Sequence, residues 1–227
     1  MIAHETLIAN DGYEVALFPL EFMYISQGEL MPSGWSHYNT YNMDFLGWGT
    51  QGRVYECPMY SPCKLKVVSL WDYNGSHTVT FESVNRVHLA DGSIDYLTIG
   101  FTHANNPPYH TIGDVVNQGD LIYYTGTYGQ SITGDHVHLT CGKGRFDEYV
   151  QRTGGHYDLS NRAHIYDVLY VNGTVIEHDE HDYDWKTWVE PSPSGGFKKS
   201  HFPWVLYANK LRKMSTWHFF LFNICYS

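Results

Sequence analysis

Cysteine is scarce in this chain, which has only four in 227 residues, at positions 57, 63, 141 and 225. Their small number and irregular spacing exclude a disulfide-stapled scaffold. For Cys57 and Cys63 two interpretations stay open: a bridge formed in an oxidising medium, or isolated thiols, which are favoured. A chain of this length is expected to bury a sizeable core and to form one domain with additional elements.

Charged side chains are also few, at 17% of the residues, and the cations are outnumbered, with 14 Lys and Arg against 24 Asp and Glu. Phosphate contacts need clustered Lys and Arg. The formal net charge of -10 therefore excludes general binding of nucleic acids.

Long apolar runs are missing as well. Residues 1–5 do not combine a basic start with an apolar core, so we expect no signal peptide and synthesis in the cytoplasm. The apolar stretch 217–225 is too short to cross a bilayer as a helix. Membrane contact therefore ranks behind two other interpretations of this stretch, a strand packed on the body and a truncated binding module.

Aromatic residues, by contrast, are abundant at 16%, with 19 Tyr and 7 Trp. Apolar and aromatic runs that recur at a spacing of roughly ten residues predict a mainly β fold with an antiparallel sheet. Asn74-Gly75 and Asp91-Gly92 predict hairpin turns between strands. The expected strands and apolar runs are 14–20, 22–25, 64–71, 78–83, 94–101 and 121–124.

Composition divides the chain into three segments. Residues 1–190 are expected to form the main domain, with an additional hairpin within 156–190 that has Asn172-Gly173 at its tip. Residues 191–196 are rich in Pro, Ser and Gly and indicate a linker. Residues 197–227 form a short basic-aromatic tail of unknown role.

The pair His136 and His138 carries the strongest chemical signal. If this run is a strand, both imidazoles face one site, while Val137, Leu139 and Cys141 pack on the opposite face. Two converging imidazoles suit a transition metal such as zinc.

Taken in order, His37, Asp44, His103 and the paired histidines resemble the pattern of the lysostaphin/LytM-type zinc peptidases (family M23), which cut bacterial peptidoglycan. The resemblance covers about residues 30–145 and implies an antiparallel β-sheet metallopeptidase core. It extends to segments that resemble the family's entry into its sheet, one of its hairpins, and the Gly/Ser/Thr-rich approach to its paired histidines: 55–67, 113–122 and 126–134.

Two departures from the family pattern are visible. Asp44 follows His37 by seven residues, a longer gap than usual, which resembles phage-encoded members, including tail-tip peptidases. Asp135 stands where the family more often has Pro, which affects the expected local backbone but not the metal.

The resemblance implies Zn2+ as the cofactor, held by His37, Asp44 and His138, with the open fourth position that is common in catalytic zinc sites. His103 and His136 are then not ligands but flank the open position. One accepts the proton of the attacking water, and the other hydrogen-bonds the tetrahedral oxyanion.

Two further groups of residues are less specific. Residues 178–184 are rich in His and acidic side chains but lack regular spacing and apolar flanks, so a solvated acidic loop is favoured over a second metal site. For Tyr96, Tyr109 and Tyr128, packing in the core is as good an interpretation as lining a groove or assisting the oxyanion.

The function implied by the resemblance is that of a phage peptidoglycan hydrolase (an endolysin) that cleaves a peptide bond in stem or cross-bridge peptides. Such an enzyme would reach its partner, bacterial peptidoglycan, after holin release or as a virion component. The alternatives are a virion tail-associated peptidase for DNA entry and a catalytically degenerate wall-binding module. The module is disfavoured because all five polar positions of the family pattern are present in this chain. An iron oxygenase is disfavoured because such enzymes place a close pair of His and carboxylate before a distant His, which is the reverse of the order here.

Overall fold

The computed structural model of the chain describes residues 6–72, 76–129, 132–171 and 174–179. Within these ranges the chain forms sixteen short strands and one four-residue helix, α1 (Ile165–Val168). In chain order the strands are β1 (Phe22–Gln27), β2 (Met43–Phe45), β3 (Trp48–Gly49), β4 (Gly52–Arg53), β5 (Pro58–Tyr60), β6 (Leu65–Trp71), β7 (Thr78–Ser83), β8 (Val87–His88), β9 (Ile94–Asp95), β10 (Leu97–Thr102), β11 (Val115–Val116), β12 (Leu121–Tyr124), β13 (Val137–Lys143), β14 (Tyr149–Gln151), β15 (Tyr157–Leu159) and β16 (Val175–Asp179).

Eight of these strands form the main sheet, in the order β11-β6-β7-β10-β13-β2-β1-β16. Its neighbouring strands run antiparallel, except for β1 and β16, which pair in parallel. The remaining described strands form two-stranded pairs, β12-β5, β14-β15, β3-β4 and β8-β9. The mainly antiparallel β fold expected from the sequence is confirmed.

The central strands divide their side chains between two faces, because successive residues of a strand point in opposite directions. In β13, Val137, Leu139 and Cys141 are buried in the hydrophobic core, at no more than 1% exposure, as their spacing predicts. The alternate residues, His138 and Thr140, line a cleft on the other face of the sheet. One face of the sheet therefore holds the core, and the other forms the floor of the cleft.

Several strand boundaries agree with the sequence predictions. β7 and β12 match the predicted ranges, and β6 begins one residue later than predicted. The predicted strand 94–101 is divided into β9 and β10. Asp91-Gly92 lies in the turn between the paired strands β8 and β9, as predicted, whereas Asn74-Gly75 lies outside the described residues.

The described part of the segment 156–190 differs from the hairpin expected around Asn172-Gly173. Asp167 lies in α1, and β16 pairs in parallel with β1. The pairing partner of β16 is therefore distant in sequence, which a local turn signal does not reveal. The tip of the expected hairpin, the linker 191–196 and the tail 197–227 lie outside the described residues.

Two further expectations concern the state of the cysteines and contact with a membrane. Cys57, Cys63 and Cys141 are buried free thiols, which agrees with the favoured interpretation. Among the residues that the structure describes, no helix is long and apolar enough to cross a membrane.

Candidate metal centre

Two of the predicted ligands come from neighbouring strands of the main sheet. His138 in β13 and Asp44 in β2 are direct partners in the antiparallel register. Side chains of such partners lie on the same face of the sheet. The Nδ1 atom of His138 is 3.0 Å from Oδ1 of Asp44.

The third predicted ligand, His37, lies in the loop between β1 and β2. Its carbonyl accepts the N–H of Met31 at 3.1 Å, which folds the loop back on itself. Its ring Nδ1–H donates to the carbonyl of Gly28 at 2.8 Å, so the other ring nitrogen, Nε2, is left as a ligand atom. The His37 side chain is buried, with 1% exposure.

The ligand atoms of these three residues form a nearly equilateral triangle. Nε2 of His37 is 3.1 Å from Nδ1 of His138 and 3.2 Å from Oδ1 of Asp44, and the third side measures 3.0 Å. Two donors that bind zinc tetrahedrally at about 2.0–2.1 Å lie about 3.3 Å from each other. The two imidazoles and one carboxylate therefore fit Zn2+ in both spacing and donor type.

Electrostatic coupling within the triangle favours an ionised carboxylate. Burial alone would raise the pKa of Asp44, but His37, His138 and His136 outweigh it, and the pKa is held well below its usual value. Burial lowers the pKa of His138, an effect that Asp44 partly offsets. Burial also opposes the charged form of His37, yet the attraction of Asp44 prevails and raises its pKa.

His136 lies beside the triangle, but its ring nitrogens are not among the three atoms that form it. Its Nδ1–H donates to the carbonyl of Gly134 at 2.7 Å, because a carbonyl can only accept. Its Nε2 is 3.7 Å from Oδ2 of Asp44, the carboxylate oxygen that is not part of the triangle. The ring centroid of His136 is 4.7 Å from that of His103.

His103 follows the end of β10 with a backbone φ of 94°, a conformation that residues with a Cβ rarely adopt. Its Nδ1–H donates to the carbonyl of Tyr128 at 2.9 Å. Burial and the neighbouring His138 and His136 lower the pKa of His103 to about 3, so the ring is neutral at ordinary pH. Backbone strain of this kind is concentrated at functional sites.

Asp135, which stands where the family more often has Pro, is a structural anchor. Its side chain is buried, and its two oxygens accept the hydroxyl of Thr125 at 2.6 Å and the N–H of Glu56 at 3.0 Å. The carboxylate therefore ties the approach to the paired histidines to two other loops.

The cleft above the triangle has a volume of about 320 Å³. All five predicted site residues line it, so the structure brings them together. Among the other residues that line it are four with rings that sequence reasoning missed: Trp71, Tyr149, His156 and Tyr157. The ring of Trp71 stacks on Tyr149 at 5.0 Å, a contact between residues far apart in sequence, which no local pattern indicated.

The three tyrosines considered from the sequence do not line this cleft. Tyr96 packs under the guanidinium of Arg145, and Tyr109 is exposed. Tyr128 contributes its backbone carbonyl to the site, through the hydrogen bond from His103. Of the acidic segment 178–184, His178 and Asp179 belong to β16, and residues 180–184 lie outside the described residues.

Comparison with known proteins finds similarity to a phage protein. The chain resembles Morphogenesis protein 1 of Bacillus phage B103. The two are 33% identical over 186 residues, which are 81% of this chain and 47% of that protein. The chain thus spans about half the length of the relative that it matches. No family model matches the sequence.

Similar solved structures include a zinc-containing peptidase from Vibrio cholerae, with 15% identity and a TM-score of 0.40 over 70% of this chain and 46% of that one. They also include the catalytic domain of lysostaphin from Staphylococcus simulans, with 19% identity and a TM-score of 0.38 over 55% of this chain and 80% of that one. Others carry the M23 name, the family that the sequence motifs resemble. These likenesses concern the fold.

Proposed function

We propose that this chain is a zinc-dependent endopeptidase of the lysostaphin/LytM type that cleaves a peptide bond in bacterial peptidoglycan. The observation that carries the proposal is the triangle of His37, Asp44 and His138, with its sides of 3.0–3.2 Å, in a cleft that also holds two histidines outside the triangle. This donor set leaves a fourth position for substrate or water, as in catalytic zinc sites.

The bound ion would polarise the scissile carbonyl and lower the pKa of a water molecule. His136 is the better candidate to take a proton from the attacking water, at Nε2. Oδ2 of Asp44 lies 3.7 Å from that atom and would stabilise the imidazolium that forms. Once protonated, His136 can donate from the same atom to the oxyanion or to the leaving amine.

His103 is suited to orient the attacking water. Because its Nδ1–H is committed to the carbonyl of Tyr128 and its pKa is lowered to about 3, its neutral ring presents Nε2 as an acceptor. This arrangement refines the expectation that one of the two histidines bonds the oxyanion directly: only a ring that has gained a proton at Nε2 can do so.

The test of the proposal is digestion of purified cell walls from several Gram-positive hosts, followed by mass spectrometry of the new amino termini. One zinc ion per chain and new amino termini at a single type of bond are expected, and His138→Ala should release none. Iron in place of zinc would instead indicate an oxygenase, and a chain that binds no metal and cleaves nothing would indicate a wall-binding module.

The place of action is a separate part of the proposal. The relative in phage B103 is named a morphogenesis protein, and this name favours a peptidase carried by the phage particle over an endolysin released at lysis. Peptide sequencing of purified particles distinguishes the two. Detection of the chain at a fixed copy number per particle supports the virion role, and its absence from particles supports the endolysin.

A further inference from the structure

The loop 37–44, which joins two of the proposed ligands, is held by residues from far along the chain. Arg162 donates through Nη1 to the carbonyl of Asn39 at 2.6 Å, across 123 positions. Asp158 accepts the N–H of Tyr41 at Oδ2 over 2.9 Å, across 117 positions. These two distant residues thus bond the loop backbone once as an acceptor and once as a donor.

The two anchoring residues also contact each other and the same ring. Nη1 of Arg162 is 3.4 Å from Oδ2 of Asp158, which is fully buried. The guanidinium carbon of Arg162 lies 4.3 Å from the ring centroid of Tyr41. The Tyr41 ring stacks on His164 as well, at 4.0 Å and nearly parallel. Arg162 and Asp158 therefore act on the loop as one unit.

The hairpin β14-β15 adds two contacts to the same loop. The side-chain amide of Asn42 donates to the carbonyl of Tyr157 at 2.9 Å. At the turn of the hairpin, a Cβ on Gly154 would lie 2.8 Å from the ring of Tyr38, so only glycine permits this approach. Four of the six residues between the two proposed ligands are thus contacted from the segment 154–164.

Two further hydrogen bonds fix Glu29, in the segment that precedes the loop 37–44. Glu29 accepts hydrogen bonds from His164 at 2.7 Å and from the hydroxyl of Tyr166 at 2.9 Å. It directly follows Gly28, whose carbonyl orients the His37 ring. The stretch 154–166 therefore contacts both the loop 37–44 and Glu29. Glu29 adjoins Gly28, which orients the His37 ring.

We propose that Asp158 and Arg162 are positioning residues for the metal centre, which order the loop 37–44 before the metal binds. The inference rests on the proposed function, because it takes His37 and Asp44 as ligands. A long loop between ligands loses more conformational freedom on metal binding than a short one. A loop that is already ordered in the metal-free protein avoids that loss and binds the metal more tightly.

The test compares Arg162→Ala with Arg145→Ala. Arg145 is a matched control because it also pairs with a carboxylate, Glu82 at 2.6 Å, and lies over a tyrosine ring, that of Tyr96 at 3.9 Å. It has no contact with the loop 37–44 among those described. Zinc affinity is measured by competition with a chelating dye, and hydrogen exchange of the Tyr41 amide is measured in the metal-free protein.

Arg162→Ala should weaken zinc binding about tenfold or more, the usual effect of removing a residue that orients a ligand, and should speed exchange at Tyr41. Arg145→Ala should change neither by more than about twofold. Arg162→Lys should recover part of the affinity, because an ammonium group can still donate to Asn39 but cannot stack on Tyr41 as a planar guanidinium does. A zinc affinity of Arg162→Ala within twofold of that of Arg145→Ala would overturn the proposal.

The test also covers a variant that does not fold and a parent chain that binds no zinc. If Arg162→Ala does not fold, Arg162→Lys is compared with Arg145→Lys instead, because lysine keeps the positive charge but cannot stack on Tyr41 as the planar guanidinium does. Weaker zinc binding and faster exchange at Tyr41 are expected for Arg162→Lys alone, and equal values for the two lysine variants contradict the proposal. If the parent chain binds no zinc, the proposed function is contradicted. In that case, hydrogen exchange of the Tyr41 amide in Arg162→Ala and Arg145→Ala still shows whether Arg162 orders the loop.

Discussion

His103 and Tyr128 are hydrogen-bonded in both directions. The ring Nδ1–H of His103 donates to the carbonyl of Tyr128 at 2.9 Å, and the N–H of Tyr128 donates to the carbonyl of His103 at 3.1 Å. The pair fixes both the tautomer of the imidazole and the strained backbone that carries it. A side chain in this position is aimed at the cleft before any substrate arrives.

Loss of a proposed ligand should abolish both metal binding and wall cleavage. Asp44→Ala and His138→Ala each remove one corner of the donor triangle, and two remaining donors do not hold zinc tightly. Both variants should also lose the stabilisation that zinc gives to the parent, so their melting temperatures should no longer rise when zinc is added. Metal content and calorimetry check this, with His88→Ala as the control, a half-buried histidine that pairs with Asp11 and does not line the cleft. One zinc per chain in either ligand variant would refute its assignment.

His136→Ala should separate chemistry from metal binding. We expect it to keep zinc and to melt nearly as the parent does, while turnover falls by about a hundredfold or more, as for other positioned acid-base groups. The measurement is kcat on a soluble cross-bridge peptide at saturating zinc, together with metal content. A metal-free variant would instead make His136 a ligand and exchange its role with that of His138.

His103 can be tested with two substitutions because of its backbone. Both His103→Ala and His103→Gly should keep zinc and lose at least about tenfold in turnover, because neither can orient a water molecule. The φ of 94° disfavours any residue with a Cβ, so the glycine variant should be more stable than the alanine variant by about 1 kcal/mol. Urea unfolding of the metal-free proteins measures the difference. Full activity in both would show that this histidine has no part in the reaction.

Asp135 should matter for stability rather than for chemistry. Asp135→Ala leaves the buried hydroxyl of Thr125 and the N–H of Glu56 without their acceptor, which should lower the free energy of unfolding by about 1–3 kcal/mol. Asp120 is the matched control, because it accepts the N–H of Asn117 at 2.7 Å in an exposed turn. Asp120→Ala should cost no more than about 0.5 kcal/mol. Equal effects of the two substitutions would show that burial of the anchor does not matter.

The buried thiols should resist alkylation until the chain unfolds. Burial raises the pKa of Cys57 to about 11 and holds that of Cys63 and Cys141 well above the usual value. At pH 8 little thiolate forms, and iodoacetamide reacts with thiolates. Peptide mapping should find these three sites unmodified in the native protein and modified in urea. Native-state labelling of Cys63 would contradict its burial.

The sequence allowed the mainly antiparallel sheet and the convergence of five polar residues on one cleft to be anticipated, for different reasons. Alternation in β13 assigns His138 and the core residues to opposite faces by local geometry alone. The positions of His37 and Asp44 were inferred from a resemblance, because no local pattern indicates that two residues seven positions apart meet at one site. The loop turns inward through contacts that span more than a hundred positions, such as the one from Arg162 to Asn39.

Other features could not have been predicted from local patterns. The hairpin expected within 156–190 was inferred from the Asn172-Gly173 signal, whereas residues 175–179 form β16 and pair with β1. Likewise, the stacking of Trp71 on Tyr149 depends on where β14 packs against the sheet. Tertiary packing determined these contacts, and neither propensity nor periodicity contains that information.

The register between β2 and β13 makes the metal centre a reporter of correct assembly. Asp44 and His138 face each other only in one alignment of the two strands, and a slip by one residue would turn one of the side chains into the core. A misaligned chain would bury a charged or polar group there and lose its donor triangle at the same time. The moment at which a refolding chain becomes able to capture zinc would therefore mark the moment at which these two strands, so distant in sequence, have found their alignment.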